Sequence, residues 1–548
     1  MQTCRACNTP FEITVADHEF FDKFKVSPPA YCLTCVLKQL LQFRNERTLF
    51  SRACALCSKN IISIYHPDEP HTVYCRSCYF SDRWDGKTYA REYDSSRSFF
   101  DQLEELDKTV PQQTTFVDGP GANSEFTNFA GYNNNCYMIF NAGYNENCYY
   151  SRGIAESKEL IDCYFCQVSE LCYEVMDGKG NYTTFFSDHT YDCRDCWFLF
   201  DCRDCSDCFG CVNLRHKRYC FYNEQLTKEE YATRLAPIRG SYKEIEKHKK
   251  QFETFKKHFP IAATHNYKSE DSEGNYIVNS SNCHNCFEAF NCENGCNLYF
   301  NKHTKDSRYL VGHGYHSELL YCDVACGNSY GVILSYGVDN CSHVAYCMNV
   351  HGSEHVFGCS GMNKASYCIL NKQYSKEEYH RLREQIIEDM KACGEWGVYL
   401  PARLSPFCYN ETLAMDFFPA TRQQVEALGF RWRESALGDV GHAAVRQEDI
   451  PDGIKEVPES ITSALLTCAH CGKHYKIIKQ ELAFYKKWGI PLPRHCFNCR
   501  HADRMRRRGP FMLIARVCNQ CGVQVRTSYA EEIAPILYCQ TCFERTVV

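Results

Sequence analysis

The sequence lacks any run of about 18 consecutive apolar residues, the length that a membrane-spanning helix requires. Its first residues, MQTCRACNTPFE, have neither the basic start nor the apolar stretch of a secretory signal. We therefore expect no membrane association and a cytoplasmic location. In that compartment thiols stay reduced, and cysteines more often bind metals than form disulfides.

The signatures of several enzyme classes are also missing. The sequence has no glycine-rich phosphate loop, no G-x-S-x-G nucleophile elbow and no H-E-x-x-H pair of zinc ligands. With 548 residues the chain can hold three or four domains, and its formal charge of −6 is small for that length. These absences favour a protein that is not an enzyme, with an enzyme as an alternative.

Cysteine, by contrast, is abundant, with 40 residues. Sixteen of them form eight C-x-x-C pairs in two sets, and each cysteine of the second set lies 464 positions after its counterpart in the first. Two pairs can supply the four thiolates of a closed tetrahedral zinc site, so each end is predicted to bind two structural zinc ions. The predicted ligands are Cys4, Cys7, Cys32, Cys35, Cys54, Cys57, Cys75, Cys78, Cys468, Cys471, Cys496, Cys499, Cys518, Cys521, Cys539 and Cys542.

Neighbouring pairs are expected to share an ion, and a cross-brace is the alternative pairing. Disulfides or redox-active pairs explain the pattern less well, because eight pairs recur at duplicated spacing. Each half of such a module has few apolar residues, so zinc binding is expected to supply much of its folding free energy.

The segment CAHCGKHYKIIKQELAFYKKWGIPLPRHCFNCRHADR resembles a zinc-ribbon or treble-clef domain that occurs in many bacterial proteins. The N-terminal copy is similar, but it has Lys25 in place of the glycine and Val36 in place of the arginine after the second pair. The whole layout also resembles cysteine-rich proteins of candidate-phyla bacteria. What this resemblance implies is zinc binding and nothing further.

Between residues 136 and 220 every cysteine is separated from the next by a multiple of three residues. The same residue class holds small and aliphatic side chains, whereas aromatic residues such as Tyr137, Tyr149 and Trp197 occupy neighbouring positions. Strands repeat every two residues and helices every 3.6, so neither fits. A narrow coil with one residue in three pointing inward does fit, as in the solenoids of some insect antifreeze proteins, and recurring separations of 12 suggest its turn length.

These inward cysteines are predicted to pack as small, inert side chains. Disulfides across the coil are the next alternative, followed by a thiol row that binds soft metal ions. A second arm follows at an offset of 148, where SYCILNKQYSKEEY repeats RYCFYNEQLTKEEY. A shift in its cysteine phase indicates one inserted residue near 323–326, and Cys296 fits neither phase. Both arms end in a predicted helical cap, which Thr227 and Ser375 begin.

The fold class predicted from these patterns is mainly β: a two-arm tight β-solenoid with helical caps, flanked by duplicated zinc-ribbon or treble-clef modules. The expected boundaries are a double zinc module (1–85), a linker (86–118), the first arm (119–225), a helical connector (226–262), the second arm (263–373), a helical cap (374–392), a mixed linker (393–467) and the second double zinc module (468–548).

Three further groups of residues invite functional hypotheses. Asp192, Asp195, Asp201, Asp204 and Asp207 recur in threes beside arginines, which favours capped turns and ion pairs over calcium sites. His313 and His316 fall in the inward phase, where a buried pair is favoured over a catalytic or metal site. The last module is basic, and Arg504, Arg506, Arg507 and Arg508 could contact nucleic acid or form one charged helix face.

We therefore expect a non-enzymatic zinc scaffold that presents an elongated aromatic surface to a macromolecular partner, with RNA as the leading candidate at the arginine cluster. The alternatives are a primary role in binding RNA or DNA, a thiol-rich metal-storage protein, and an enzyme with a site around His313 and His316.

Overall fold

The computed structural model describes residues 1–119, 121–434 and 445–547, and the side chain of His313 lies outside this description. The chain divides into two compact units. The first unit combines 1–115, 264–434 and 511–513, and the second combines 116–263, 435–510 and 514–548. Each unit thus contains one solenoid arm and the cysteine module that is more distant from that arm in the sequence.

A left-handed backbone conformation at every third residue explains the period of three. In the first arm Asn141, Tyr144 and Asn147 have φ of 51°, 60° and 54°. We call such residues corners, since the chain turns there, and four successive corners complete one turn of the coil. Each non-glycine corner costs roughly 1–2 kcal/mol. Parallel hydrogen bonds to the neighbouring turns, such as Tyr149 N–H to Leu160 O at 2.8 Å, offset this strain.

Strands of the first arm pair in parallel with the strand one turn later, as Tyr164 does with Met176 and Met176 with Asp188. Its strands, with the closing hairpin last, are Val117–Asp118, Asn128–Gly131, Phe140–Gly143, Tyr164–Gln167, Met176–Lys179, Tyr182–Phe185, Asp188–Tyr191, Arg194–Trp197, Phe200–Arg203, Cys220–Phe221 and Glu224–Gln225.

The residue after each corner points inward and connects two turns by hydrogen bonds. An inward side chain donates to a carbonyl near the next turn, as Cys163 Sγ does to Cys172 O at 3.6 Å. An inward hydroxyl also accepts the amide of the equivalent residue one turn later, as Ser151 Oγ does from Cys163 N–H at 3.0 Å. Cysteine meets these needs because it is small and carries a weak donor. The inward cysteines are buried free thiols, as predicted.

The second arm repeats this construction in the strands Glu273–Val278, His284–Phe290, Glu293–Lys302, Thr304–His313, Ser317–Cys326, Tyr330–Ile333, Tyr336–Asp339, Ser342–Ala345, Met348–His351, Glu354–Phe357, Ser366–Ile369 and Lys372–Gln373. The predicted place of its inserted residue is wrong. Glu293 pairs with Lys305 at the regular spacing, but Thr304 pairs with Ser317, one position beyond that spacing. The extra residue therefore lies within residues 312–316, where the corners change phase.

This register also accounts for two cysteines. Cys322 is a corner with φ of 56°, although it is buried. Cys296 lies opposite His284 and Arg308 in an outward row of side chains, so it never belonged to the inward series.

The predicted capping boxes are both present, with the side chain of Thr227 accepting from Glu230 N–H and that of Ser375 from Glu378 N–H. Helices span Val15–Phe24, Leu33–Gln42, Arg76–Tyr79, Phe99–Thr109, Lys228–Leu235, Tyr242–Lys256, Lys376–Cys393, Leu413–Phe417, Arg422–Ala427, Lys479–Trp488, Phe497–Arg508 and Gln540–Val547. Within the described ranges no helix combines the length and the apolar character needed to cross a membrane.

The outward aromatic rows are mostly covered. In the second unit the ring of Tyr173 lies 5.4 Å from that of Tyr485, and Trp197 is 1% exposed. In the first unit the ring of Tyr321 lies 5.2 Å from that of Phe21. The expectation of an elongated aromatic surface is therefore wrong for these rows, because the cysteine module and other segments of the same unit, such as the helices Phe99–Thr109 and Tyr242–Lys256, cover them.

Candidate metal centres

Four groups of cysteine sulfurs converge in the structure. Each group takes two consecutive C-x-x-C pairs, and its four Sγ atoms lie within 4.8 Å of one another. They are Cys4, Cys7, Cys32 and Cys35; Cys54, Cys57, Cys75 and Cys78; Cys468, Cys471, Cys496 and Cys499; and Cys518, Cys521, Cys539 and Cys542. The sulfurs thus follow the sequential pairing, and we refer to the groups as tetrads 1 to 4.

The spacing of the sulfurs suits a tetrahedral metal ion. In tetrads 1 to 4, one sulfur pair each is separated by 3.6, 3.9, 3.7 and 3.8 Å. A metal with bonds of about 2.3 Å to four tetrahedral sulfurs places those sulfurs about 3.8 Å apart. Four thiolates in this geometry are typical of Zn²⁺ or iron.

The first pair of each tetrad lies in a tight turn at the end of a small hairpin. The residue after the second cysteine is left-handed in all four tetrads: Asn8, Ser58, Gly472 and Gly522 have φ of 58°, 59°, 70° and 75°. The hairpin strands are Gln2–Thr3 with Pro10–Phe11, Phe50–Ala53 with Asn60–Ser63, Leu466–Thr467 with His474–Tyr475, and Ile514–Val517 with Gln524–Thr527. The repeated turn geometry explains why two residues separate the cysteines.

The second pair begins a helix in every tetrad. Cys32, Cys75 and Cys496 are the N-cap residues of their helices, and Cys539 directly precedes the helix Gln540–Val547. Helix N-termini favour negative charge, so this placement stabilises thiolates. The amide of the third cysteine also donates to the first sulfur, as Cys75 N–H does to Cys54 Sγ at 3.2 Å.

The thiols within one tetrad differ in acidity. Burial raises the pKa of Cys54, but amide hydrogen bonds from Cys75, Cys57 and Leu56 outweigh it and lower that pKa to about 6. Cys468 and Cys518 have a pKa of about 6 for the same reasons. Burial and neighbouring sulfurs raise the pKa of the last cysteine, to about 12 for Cys78. Four adjacent thiolates repel one another and therefore need a cation. A bound metal ion would supply that positive charge, and its binding would release the thiol protons.

Tetrad 2 has additional donors to its sulfurs. The guanidinium of Arg83 donates to Cys78 Sγ at 2.7 Å, and the hydroxyl of Ser77 lies 3.2 Å from Cys75 Sγ. The position equivalent to Arg83 in the second module is Val547, which has no donor side chain. Arg83 therefore offsets part of the net negative charge that four thiolates and a bound divalent ion would have together.

The helix that begins at the second pair of tetrads 1 and 3 buries the same positions in both modules. Leu33–Gln42 buries Val36 and Leu40 and packs on the strands Thr304–His313 and Ser317–Cys326 of the second arm. Phe497–Arg508 buries Arg500 and Arg504, which lie 464 positions later. These two duplicated helix positions thus pack with apolar side chains in one unit and with charged side chains in the other.

The arginine cluster is used inside the second unit, which corrects the expectation of an open basic surface. Arg504 is 2% exposed, and its Nη1 lies 2.8 Å from Asp162 Oδ1. Arg508 pairs with Asp177 at 3.1 Å and Arg507 with Asp188 at 3.2 Å. Arg506 is the exposed member of the four. Sequence reasoning missed Asp162 and Asp177 because their spacing looks like that of any other corner residue.

The remaining candidate residues do not form further metal groups. The aspartates in threes are corners, and Asp204 and Asp207 pair with His216 and Arg218 at 2.7 and 3.0 Å. Over residues 1–119, 121–434 and 445–547, the four tetrads are the only groups of three or more histidine, cysteine, aspartate or glutamate side chains that could hold a metal ion.

Of the two histidines expected in the inward phase, His316 is not placed as predicted. His316 is an exposed corner whose ring stacks on His303 at 4.9 Å. The backbone of His313 lies in the strand Thr304–His313, and its side chain falls outside the described residues.

Comparisons with known proteins add little to this picture. No family model and no curated protein matches the chain. A crystal structure from Desulfovibrio desulfuricans G20, of a protein provisionally named an acetyltransferase, is 7% identical and covers 52% of this chain and 81% of its own. Its TM-score of 0.11 is too low to support any argument about fold or function.

Proposed function

We propose that this protein is a zinc-dependent structural scaffold. In each unit a module folded around two zinc ions would hold one solenoid arm and leave another side of that arm free for a macromolecular partner. The observation that carries this proposal is the packing of the helix Leu33–Gln42, which begins at tetrad 1, on the strands of the second arm.

Zinc is the metal that we favour for the tetrads. Zn²⁺ has no redox chemistry and accepts four thiolates in a closed tetrahedral shell, which is typical of structural sites. The resemblance of CAHCGKHYKIIKQELAFYKKWGIPLPRHCFNCRHADR to zinc-ribbon or treble-clef domains supports the same metal. Four protein ligands leave no position for water or substrate, so the sites are structural rather than catalytic.

Loss of the metal should expose the surface that the modules cover. Without a cation the thiolates of a tetrad repel one another, and the helix loses its anchored first turn. The outward rows that contain Tyr173 and Tyr321 would then meet water. The role of the metal is therefore to protect the arms as well as to fold the modules.

Metal and thiol counting on purified protein tests this proposal. We expect four zinc ions per chain by elemental analysis and native mass spectrometry, with 24 free thiols, the 40 cysteines less the 16 ligands. More than four soft metal ions would instead favour a storage protein. Redox-active iron in the tetrads, or few free thiols, would overturn the proposal.

Matched cysteine variants test the scaffold role. Cys496→Ser with Cys499→Ser should remove one zinc ion and increase the binding of a dye that reports exposed apolar surface. Cys393→Ser is the control, since Cys393 is exposed and belongs to no tetrad. A double variant that loses its zinc but keeps the dye response and protease resistance of the control would contradict the scaffold role.

A further inference from the structure

One side of the second arm is left open within its unit. We call it the open face; its central outward row is Ser281, Glu293, Lys305, Glu318, Tyr330, Ser342, Glu354 and Ser366, all exposed or half-buried. Over its last turns the face contains a groove of about 470 Å³. Side chains that line it include Asn328, Asn340, Ser342, Glu354, Lys364 and Ser366.

The groove is lined by both hydrogen-bond donors and acceptors, and its lining has almost no net charge. Its amides and hydroxyls can each donate and accept, and the single carboxylate of Glu354 balances the single ammonium of Lys364. The volume falls in the range of small-ligand sites, but the lining lacks the apolar character that such sites usually have. A ligand rich in hydroxyl groups fits this lining better than an apolar or a strongly charged ligand.

A row of stacked rings borders the groove. The ring centroids of His343 and His355 are 4.8 Å apart, and those of His355 and Tyr367 are 5.0 Å apart. Tyr330 meets His343 edge-on at 5.6 Å. Because these rings stack on one another, they present edges rather than free faces. Single-stranded nucleic acid needs free ring faces and a positive groove, so this surface does not favour it.

The repeat of the arm also limits the shape of the ligand. Equivalent positions recur on every turn at the spacing of parallel strands, about 4.8 Å. Ser342, Glu354 and Ser366 are such positions, since Ser342 pairs with Glu354 and Glu354 with Ser366 on successive turns. A linear chain of hydroxyl-bearing units can meet a polar side chain at each of these turns, whereas a compact ligand cannot.

We propose that the groove over the last turns of the open face binds a linear, uncharged oligosaccharide through its hydroxyl groups. The inference rests on the proposed scaffold function, because it names the class of partner that the free side of this arm would take.

The first arm provides a natural comparison. At an offset of 148, Arg194 and Arg218 stand in place of Ser342 and Ser366, and Asp192 in place of Asn340. Arg194 and Arg218 are exposed. The same backbone positions can therefore carry arginine without loss of the solenoid, and we expect no oligosaccharide binding there.

Calorimetric titration of the zinc-loaded protein tests the proposal. The probes are the hexasaccharides of the maltose, cellulose, laminarin, chitin, mannan and xylan series, with oligouridylate as the anionic probe. We expect saturable binding of at least one neutral probe with a Kd of about 1 mM or tighter, unchanged by added salt. Ser342→Arg with Ser366→Arg should weaken it at least tenfold, while Ser281→Arg, on the same row beyond the groove, should have no effect.

Three results would overturn the inference. They are no binding of any neutral probe, binding of oligouridylate alone, and binding of a neutral probe by the double variant as tight as by wild type. The zinc content and the dye response are measured on the same samples. Protein that holds four zinc ions without binding a neutral probe refutes the oligosaccharide alone, whereas protein without zinc refutes the scaffold.

Discussion

Asp323 is a carboxyl group in the interior of the second arm, and its replacement by asparagine should stabilise the protein. The side chain is 1% exposed, and its Oδ1 accepts the amide of Ser335, one turn later, at 2.8 Å. Its Oδ2 is buried and has no hydrogen-bond partner in the described part of the chain. Burial raises the pKa of Asp323 well above its usual value, although amide hydrogen bonds from Ser335 and Tyr321 act in the opposite direction.

Inward asparagines in the first arm show what this position needs. Asn145 Oδ1 accepts the amide of Ser157 at 3.1 Å, and its Nδ2 donates to Ile154 O at 3.1 Å. An ionised Asp323 accepts in the same way but cannot donate. Asp323→Asn keeps the acceptor and supplies the donor, so it should add about 1–3 kcal/mol, the cost of leaving a buried polar atom unsatisfied.

The gain should depend on pH. The folded pKa of Asp323 lies above the unfolded value of about 3.9, so the folded chain holds the proton more tightly. The stabilising contribution of this protonated carboxyl is complete below about pH 3.9 and falls as the pH rises towards the folded pKa. Asparagine does not titrate, so the advantage of the variant should be larger at pH 8 than at pH 6.

Differential scanning calorimetry of the zinc-loaded protein measures this effect. A gain of about 1 kcal/mol corresponds to a rise in Tm of about 2–4 °C for a domain of this order of size. Asp271→Asn is the control, because Asp271 is an exposed corner of the same arm with φ of 43°. A variant at Asp323 that is less stable than wild type at pH 8, or whose gain is equal at both pH values, would refute the reasoning.

Three further predictions concern the metal centres and the second unit. Arg83→Val should speed the loss of one zinc ion to a chelator by about 10–100-fold, since side chains that hydrogen-bond to metal ligands contribute that much to affinity. Release of all four zinc ions from the variant at the wild-type rates would contradict this prediction. Arg504→Leu should destabilise the second unit by about 1.5–3 kcal/mol, because Asp162 loses one of its two buried arginine partners and keeps Arg500. Adding Asp162→Asn should recover part of the loss, and additive losses in denaturant titrations would argue against the ion pair. Lowering the pH from 7 to 5 should release metal to an indicator dye, because protons compete for the thiolates; a metal content unchanged at pH 5 would count against thiolate ligation.

The parts of the fold that depend on short-range geometry could be predicted. A C-x-x-C pair fits one tight turn, so the eight pairs follow from spacing alone, whereas the structure decided that consecutive pairs converge. The solenoid is encoded by a conformation that recurs every third residue, which dictates where small side chains must stand. The capping boxes at Thr227 and Ser375 involve residues three apart. Each of these features is encoded within a short stretch of sequence.

The place of the inserted residue in the second arm could not be predicted. Cysteine phase reports only where cysteines occur, whereas the corner conformations at Gly312 and His316 locate the change. This error arises where the backbone departs from the regular repeat.

The sequence by itself determined the candidate metal ligands, the period of three and the two-fold repetition of modules and arms. Only the tertiary structure decided which outward rows are covered. Arg504 and Asp162 are 342 residues apart, yet they form one buried ion pair. All sides of an arm carry similar local patterns, so exposure depends on which module packs there. Which side of an arm is covered depends on apolar burial and charge pairing across the assembled unit. No short segment of the sequence carries this information.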